Sequence, residues 1–246
     1  MSSRSLVVIP TYNERANIDE VLDRVLAAAD SDVLVVDDNS PDGTALLVAG
    51  RPEWRHRVHL VIRAEKQGLG AAYREGFSWA LDHEYGRIVQ MDADLSHPPE
   101  RLPALLAALE DHDVAVGSRY VAGGGVRNWA LSRRLISWAG NQYVRLVLGL
   151  PVRDATAGFK AFRAEALESI GAVSSHSNGY CFQIENTWQA VRQGLSVVEV
   201  PITFTDRTRG QSKMSSAIVL EAVLRVLRWR VDQLTNRRSG VERVAA

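Results

Sequence analysis

The 246-residue sequence has one cysteine and no net charge. With Cys181 alone it can form no internal disulfide, which is typical of a reducing compartment, and we expect this thiol in the core. Lys plus Arg (29) equals Asp plus Glu (29), so no overall basic field attracts nucleic acid. We therefore expect no nucleic-acid partner, and expect anions to be bound by local clusters of charge.

The sequence also has no long apolar run. The nearest candidates, at 143–152 and 217–227, are interrupted by charged residues, whereas a spanning helix needs about 18 uninterrupted apolar residues. The apolar stretch at 6–10 is too short for the core of a signal peptide and lacks a cleavage site. We expect a cytoplasmic protein, and contact with a membrane surface stays open.

What is present is a globular composition, 46% apolar and 24% charged, with room for one large domain and an appendage. The first half alternates short apolar runs with helical patterns. The runs predict strands at 6–10, 33–37, 58–62, 87–91 and 113–117. The helical patterns lie at 16–29, 43–49, 70–82 and 98–110. This alternation predicts an α/β fold with a mostly parallel sheet flanked by helices.

The second half is less regular. Helices are expected at 129–148 and 179–192, and strands at 158–163 and 196–205. The glycine-rich segment 120–128 is either a hinge or lid loop or a surface connection. Residues 215–234 predict an amphipathic helix, followed by a polar tail. We therefore divide the chain into a main domain, 1–214, and a C-terminal helix with its tail, 215–246.

Polar side chains follow each of the five predicted strands of the first half. The segments are PTYNE at 10–14, DDNSPDG at 37–43, KQGLG at 66–70, DAD at 92–94 and GSRY at 117–120. In open α/β sheets, ligands bind beyond the carboxyl ends of the strands. The convergence of these segments therefore predicts an active site at that edge.

Asp92 and Asp94 form the most informative of these segments. Two carboxylates so close repel each other, and a hard divalent cation relieves the repulsion. Mg²⁺ or Mn²⁺ takes oxygen ligands and keeps positions for phosphate oxygens. Taken alone, the pair is equally compatible with a turn and a helix cap. Beside four other polar strand ends, it predicts a metal–diphosphate site.

Missing motifs exclude several enzyme classes. The turn after the first strand has no glycine, so it lacks the G-x-G-x-x-G of a dinucleotide-binding dehydrogenase. No G-x-S-x-G, P-loop or CxxC occurs, and we assign His97 to a helix start rather than to a metal. Tyr12 could stack on a base and Asp38 could accept hydrogen bonds from it. Alternatively, Tyr12 is ordinary packing, and Asp37 or Asp42 caps a turn.

Basic residues of the second half are sparse. Arg133 and Ser137 are four residues apart and share a helix face, while Arg119, Arg207 and Lys213 lie near glycines or loop starts. Arginine suits bidentate phosphate binding, and lysine acts as a point charge. Each alone is more often a solvated surface residue; together they are compatible with a phosphate clamp.

The motifs resemble those of the polyprenol-phosphate (dolichol-phosphate) mannosyltransferases, which are inverting glycosyltransferases of family 2. The resemblance covers about residues 6–213 and rests on PTYNE, VVDDNSPDGT, KxxGLGAAY, MDADLSHPP, GSRY, GFKAFR and EVPITFTDRTRGQSK. It implies a Rossmann-like GT-A catalytic domain at 1–214. It also implies transfer of mannose from GDP-mannose to a polyprenyl phosphate, with Mg²⁺ or Mn²⁺ as cofactor.

The resemblance also implies residue roles. Contacts to the nucleotide sugar are expected from Pro10, Tyr12 and Glu14, and contacts to the base from Val36 and Asp38. The diphosphate and sugar would lie along Asp92, Ala93 and Asp94, with Asp94 as chief metal ligand and Ser96 where some relatives have a glutamine ligand. The acceptor phosphate would meet Arg119, Arg133 and Ser137, and the donor diphosphate would be closed over by Arg207 and Lys213. Asp92, Asp94 and Arg119 are the expected catalytic residues.

The implied reaction needs no strong general base. A phosphate monoester has a second pKa near 6 and is largely ionised at neutral pH. The metal would neutralise charge on the leaving diphosphate, and the arginines would orient the acceptor. Two alternatives stay open: a polyprenyl-phosphate glucosyltransferase that uses UDP-glucose, and a non-catalytic subunit that binds a nucleotide sugar. A nucleotidyltransferase would show a glycine-rich N-terminal loop, which is absent.

The lipid acceptor implies a place at the cytoplasmic face of a membrane. From residue 221 onward, six arginines stand against three acids, which suits an amphipathic helix on anionic lipid. The apolar stripe expected on that helix contains Leu220, Val223, Leu224, Leu227, Val231 and Leu234. Packing of the helix on the core is the alternative. Peripheral contact is expected, either direct or through a membrane-protein partner.

Overall fold

The computed structural model describes residues 3–175, 177, 179–206, 221–233 and 235. The strands are β1 (Ser5–Thr11), β2 (Asp32–Asp37), β3 (Val58–Ile62), β4 (Arg87–Gln90), β5 (Val114–Ser118), β6 (Gly125–Arg127), β7 (Lys160–Arg163), β8 (Val197–Pro201) and β9 (Thr203–Thr205). The helices are α1 (Ile18–Ala28), α2 (Thr44–Ala49), α3 (Leu69–Asp82), α4 (Leu102–Ala108), α5 (Leu131–Leu148), α6 (Ala164–Ser169) and α7 (Gly179–Arg192). Residues 221–233 form a further helix, called the C-terminal helix below.

The main sheet has seven strands in the order β3-β2-β1-β4-β7-β5-β8. Strand β7 is antiparallel to both of its neighbours, β4 and β5, while the other pairs are parallel. The carboxyl ends of the parallel strands therefore meet at one edge of the sheet, called the carboxyl edge below. Because β7 runs the other way, its beginning lies at that edge. The predicted mostly parallel sheet with flanking helices is confirmed.

Two apolar layers cover the two faces of the sheet. Successive strand residues point to opposite faces, so β1 sends Val7 and Ile9 into one layer, with α1 and α4, and Leu6 and Val8 into the other, with α3. The second layer contains stacked aromatic rings of α3 and α7, including Phe77. Burial on both faces explains why the strands read as continuous apolar runs.

The five strands predicted in the first half are confirmed within one residue at each end. The strand predicted at 196–205 is two strands, β8 and β9, separated by the buried Ile202. The interpretation of 120–128 as a hinge or lid loop, or as a surface connection, did not include a strand, yet β6 lies within this segment and pairs in parallel with β9. Close approach explains one glycine there, since a Cβ on Gly124 would lie 2.6 Å from the Ser118 carbonyl oxygen.

The C-terminal helix packs on α7 through Trp229, whose ring stacks on Trp188 with centroids 5.4 Å apart. Val226 is fully buried in the same cluster. Leu224, Leu227 and Val231 of the predicted apolar stripe are exposed instead. The predicted boundary at 214/215 and the ends of the stripe, Leu220 and Leu234, lie outside the described residues. Within the described part of the chain, no helix combines the length and apolarity required to cross a bilayer.

Candidate active site

Asp92 and Asp94 lie in a tight turn at the carboxyl edge, directly after β4. Asp92 Oδ1 accepts a hydrogen bond of 3.0 Å from the Tyr73 hydroxyl on α3, and Asp94 Oδ1 accepts one of 3.1 Å from the Ser96 amide. Leu95 adopts a left-handed conformation with φ of 61°, which folds the turn back on itself. The two carboxylates are thus held by their surroundings.

Tyr73 is completely enclosed beneath this turn. Burial, together with the nearby charge of Asp92, raises the pKa of the Tyr73 hydroxyl well above its usual value. The hydroxyl therefore stays protonated and acts as a fixed donor to Asp92.

The turn fits a hard divalent cation. The Ser96 hydroxyl oxygen is buried and has no hydrogen-bond partner in the described part of the chain, so it is available as a third oxygen beside Asp92 and Asp94. Among the described residues, no group of three or more His, Cys, Asp or Glu side chains could hold a metal, so the protein side of this site would be two carboxylates and one hydroxyl. An ion here would complete its oxygen ligands from a diphosphate. A cleft of about 230 Å³ opens beside Asp94 and Ser96.

His97 supports the turn and is not one of the three residues whose oxygens would bind the cation. Its Nδ1 accepts a hydrogen bond of 3.1 Å from the Asp92 main-chain amide. Its ring stacks on Phe159 at 5.3 Å between centroids and meets the edge of Phe204 at 5.5 Å. A Cβ on Gly158 would lie 3.2 Å from His97 Cε1 and 3.6 Å from Asp92 Oδ2. Gly158 therefore leaves room for the carboxylate, a role that the sequence analysis missed.

Asp37 stabilises the turn after β2. This fully buried carboxylate accepts hydrogen bonds from the Thr11 hydroxyl at 2.6 Å and from the Ser40 amide at 2.7 Å. Asp42 likewise accepts one from the Thr44 amide at 3.0 Å. Both acids thus take the turn-capping role that the sequence left open.

Two of the residues expected to bind the base lie together at the ends of β1 and β2. Asp38 is buried and paired with Arg63 at 2.5 Å, and its main-chain amide bonds to the Thr11 carbonyl. Burial raises the pKa of Asp38, and the Arg63 charge opposes that shift. Tyr12 carries the Lys66 ammonium over its ring, 3.8 Å from the centroid. This edge therefore presents an aromatic face, a carboxylate and cations.

The other residues expected on the donor side differ in exposure. The Val36 side chain is fully buried and faces Gly76 of α3, so it belongs to the core. Ala93 is also buried. Pro10 is half-buried and lies beside Val36 in the β1–β2 pairing. Glu14 accepts a hydrogen bond of 2.8 Å from the Asn17 side chain.

Arg119 lies at the end of β5 and is held by a buried acid that the sequence analysis missed. Its Nε and Nη2 donate to the two carboxylate oxygens of Asp154, at 2.7 and 2.6 Å, and Nη2 also donates to the Thr156 hydroxyl at 2.9 Å. Asp154 and Thr156 reach this edge because they precede the reversed strand β7. Reading only the ends of parallel strands could not find them.

Arg133 and Ser137 lie on α5, which the structure brings beside Arg119. Arg133 Nη1 is 2.6 Å from Asp206 Oδ2, and the Tyr120 hydroxyl donates to Ser137 Oγ at 2.7 Å. The ring of Trp129 is close to both arginines, with its centroid 4.2 Å from Arg133 Cζ and 5.5 Å from Arg119 Cζ. Trp129 carried no signal in the sequence analysis, since a lone tryptophan usually belongs to a core.

Arg207 and Lys213 lie outside the described residues. The segment that leads to them passes between the two groups of site residues. The Thr205 amide donates to the Ser96 carbonyl at 3.2 Å, and the Asp206 amide donates to the Arg127 carbonyl at 3.1 Å. Because Asp206 also pairs with Arg133, β9 and the residue after it connect the acidic turn to that arginine.

A buried polar group lies behind this edge. The Lys160 ammonium on β7 is fully enclosed and donates to the Gln183 carbonyl at 2.6 Å. Burial lowers the pKa of Lys160 to about 7, and the charge of Asp154 opposes that shift. The neighbouring Gln90 side chain donates to the Gly158 carbonyl at 2.8 Å.

Comparison with known proteins gives the family and the fold of this chain. The chain is 48% identical over 98% of its length to polyprenol monophosphomannose synthase of Mycolicibacterium smegmatis, covering 92% of that protein. It is 49% identical over 92% of its length to undecaprenyl-phosphate mannosyltransferase of Micrococcus luteus, covering 93% of that protein.

In fold, the chain resembles glucosyl-3-phosphoglycerate synthase of Mycobacterium tuberculosis. The TM-score is 0.67 at 21% identity, and the match covers 92% of this chain and 79% of that one. The predicted GT-A fold is confirmed. The profile of "Glycosyl transferase family 2" matches residues 6–171, and the chain belongs to that family.

Proposed function

We propose that this protein transfers mannose, with inversion, from GDP-mannose to the phosphate of a polyprenyl phosphate. The observation that carries the proposal is the likeness of nearly the whole chain to two enzymes whose names specify mannose and a polyprenyl acceptor. The site supports it, because the acidic turn and the arginine pair occupy one edge of the sheet.

The donor side would hold a divalent cation, Mg²⁺ or Mn²⁺. The residues that would bind this cation are Asp94, Asp92 and, through its hydroxyl, Ser96. When bound, the cation would neutralise the charge that develops on the leaving diphosphate. Tyr73 and His97 would keep Asp92 in place for that task. Tyr12 and Asp38 would face the base, and Arg207 and Lys213 would close over the diphosphate.

The acceptor side would position an already ionised nucleophile. Arg119, Arg133 and Ser137 would bind the acceptor phosphate, and one of its oxygens would attack the anomeric carbon. Asp154 and Asp206 fix the two guanidinium groups before the acceptor arrives. Because the phosphate monoester is largely ionised at neutral pH, the protein needs no strong base.

The lipid chain of the acceptor would stay in a membrane that this face of the protein touches. Helix α5 exposes Leu131, Leu135, Trp138 and Leu146. Their spacing places these side chains on one side of the helix, called the apolar face of α5 below. The C-terminal helix exposes its own stripe and touches α5, since the Tyr143 hydroxyl donates to the Val223 carbonyl at 2.9 Å.

A donor panel tests the function. Purified protein would be incubated with a short polyprenyl phosphate and either GDP-mannose or UDP-glucose, with Mn²⁺, Mg²⁺ or EDTA. We expect polyprenyl-phosphate mannose from GDP-mannose with either metal, and none with EDTA. Product from UDP-glucose alone would replace the donor assignment, and no product from any donor would favour a non-catalytic subunit.

A matched pair of variants ties the activity to the acidic turn. Asp94→Asn should abolish transfer, because it removes one charge from the cation site. Asp82→Asn makes the same chemical change at an exposed position at the end of α3 and should leave transfer unchanged. Near-wild-type turnover by Asp94→Asn would contradict the metal assignment.

A further inference from the structure

Trp129 contains a buried polar atom to which the site described above gives no role. The residue precedes α5 and is only 8% exposed. Its indole Nε1 is buried and has no hydrogen-bond partner among the residues that the structure describes. Buried indole N–H groups usually find an acceptor, so an orphaned one calls for an explanation.

The surroundings of Trp129 indicate the charge of the acceptor that would suit this site. The ring lies within cation–π distance of both arginines of the acceptor site, Arg133 at 4.2 Å and Arg119 at 5.5 Å. Phe204 of β9 meets it edge to face at 5.4 Å and holds its plane. A rigid donor beside two cations is placed for an anion.

We propose that Trp129 is a third binding group for the acceptor phosphate, with Nε1–H donating a hydrogen bond to a phosphate oxygen bound by Arg119 and Arg133. The inference rests on the proposed function. An indole N–H can only donate, and an ionised phosphate monoester offers oxygens that accept. The ring also positions the two guanidinium groups, whose charge is partly offset by Asp154 and Asp206.

A conservative substitution separates the N–H from the ring. Trp129→Phe keeps an aromatic face but removes the donor. We expect the KM for polyprenyl phosphate to rise about tenfold, as for a lost hydrogen bond to a charged group, with the KM for GDP-mannose unchanged. Trp79→Phe is the matched control, because Trp79 stacks on His83 at the far end of α3 and touches neither substrate site. An unchanged acceptor KM in Trp129→Phe would overturn the inference.

A spectroscopic titration tests the contact without turnover. The chain has six tryptophans, so the Nε1–H resonance of Trp129 must first be assigned. It is the resonance that disappears in Trp129→Phe. Should that variant not fold, replacing each of the other five tryptophans by Phe assigns it by elimination. Adding a short polyprenyl phosphate should move this resonance downfield, whereas the dephosphorylated polyprenol should not. Inorganic phosphate forms a third arm, and a shift with it alone would assign the site to free phosphate.

The two proposals fail separately. If the wild-type protein makes no mannolipid from GDP-mannose, the proposed function is wrong, and the titration still reports whether Trp129 binds a phosphate. If the wild-type protein is active but polyprenyl phosphate leaves the Trp129 resonance in place at saturation, the inference is wrong and the function stands.

Discussion

Tyr73 is the clearest supporting residue at the scale of single side chains. Its hydroxyl donates to Asp92 Oδ1 from a completely enclosed position. Hydrogen-bond partners of a metal ligand, the role proposed for Asp92, typically contribute 10–100-fold to metal affinity. We expect Tyr73→Phe to raise the Mn²⁺ concentration for half-maximal activity about tenfold, measured by metal titration of the transfer reaction.

Tyr85 provides the control for that change. It is as deeply placed, but its hydroxyl donates to Asp32 at the start of β2, on the opposite edge of the sheet. Tyr85→Phe should therefore leave the Mn²⁺ dependence unchanged. Equal metal dependence in both variants would show that the hydroxyl of Tyr73 does not support the cation site.

Lys160 should make stability depend on pH. Burial lowers its pKa from 10.5 to about 7, so above pH 7 the unfolded chain binds a proton that the folded lysine has released. The free energy of unfolding then rises with pH, by about 1 kcal/mol between pH 7.5 and 8.5. We limit the prediction to this pH range because burial also raises the pKa of the Cys181 thiol to about 11. Above pH 9, that raised pKa makes the free energy of unfolding fall as the pH rises.

Substitution isolates this contribution. Denaturant unfolding of Lys160→Met should show no such rise, whereas Lys66→Met, at an exposed lysine, should keep it. A rise of equal size in Lys160→Met would place its origin in another group.

Residues that the sequence identified differ in kind from those that it missed. Asp92 and Asp94 stand out because two charges at the end of an apolar strand conflict with burial unless something offsets them. Asp154 and Trp129 are single residues without informative spacing, and only tertiary packing brings them to the arginines. Val36 differs again, since its motif position suggests the site while its side chain lies in the core, so any contact to a base there would come from its main chain.

At the scale of elements, the packing of α3 on the sheet depends on one glycine. A Cβ on Gly76 would lie 2.3 Å from Val8 Cγ1 on β1 and 3.2 Å from Val36 Cγ2 on β2. Overpacking of this kind costs about 1–3 kcal/mol, so we expect Gly76→Ala to lower the free energy of unfolding by that amount, measured by chemical denaturation.

Gly140 in α5 should respond with the opposite sign. A Cβ there meets no atom within 4 Å, and alanine is favoured over glycine in a helix by about 1 kcal/mol. Gly140→Ala should therefore stabilise the protein slightly. Similar destabilisation by both substitutions would contradict the contact between α3 and β1.

The direction of β7 explains which elements the sequence could predict. Apolar runs between helices correctly predicted β1 to β5, because parallel strands buried on both faces have that pattern. The pattern is the same whichever way a strand runs, so the reversal of β7 was not visible. Nor was the pairing of β6 with β9, since it joins two three-residue strands that are distant in sequence.

At the scale of the whole molecule, two exposed apolar surfaces lie side by side on α5 and the C-terminal helix. Replacing Leu131 and Leu135 by Gln removes much of the apolar face of α5. We expect this double variant to lose co-sedimentation with anionic liposomes, because membrane binding scales with buried apolar area. Transfer to a short, water-dispersed polyprenyl phosphate should be retained.

An equally exposed leucine elsewhere serves as the control. Leu46 on α2 is 77% exposed and Leu131 is 71% exposed. Leu46→Gln should leave liposome binding unchanged. Binding that survives in the α5 double variant would remove this helix from the contact.

The nearness of the arginines proposed to bind the acceptor to these surfaces has a kinetic consequence. Arg133 and Ser137 lie on the same helix as the apolar face of α5, so a protein resting there would meet its acceptor at a surface density and not at a bulk concentration. Turnover would then follow the mole fraction of polyprenyl phosphate in the bilayer, and would fall on dilution with inert lipid even when the total amount of acceptor in the tube stays constant.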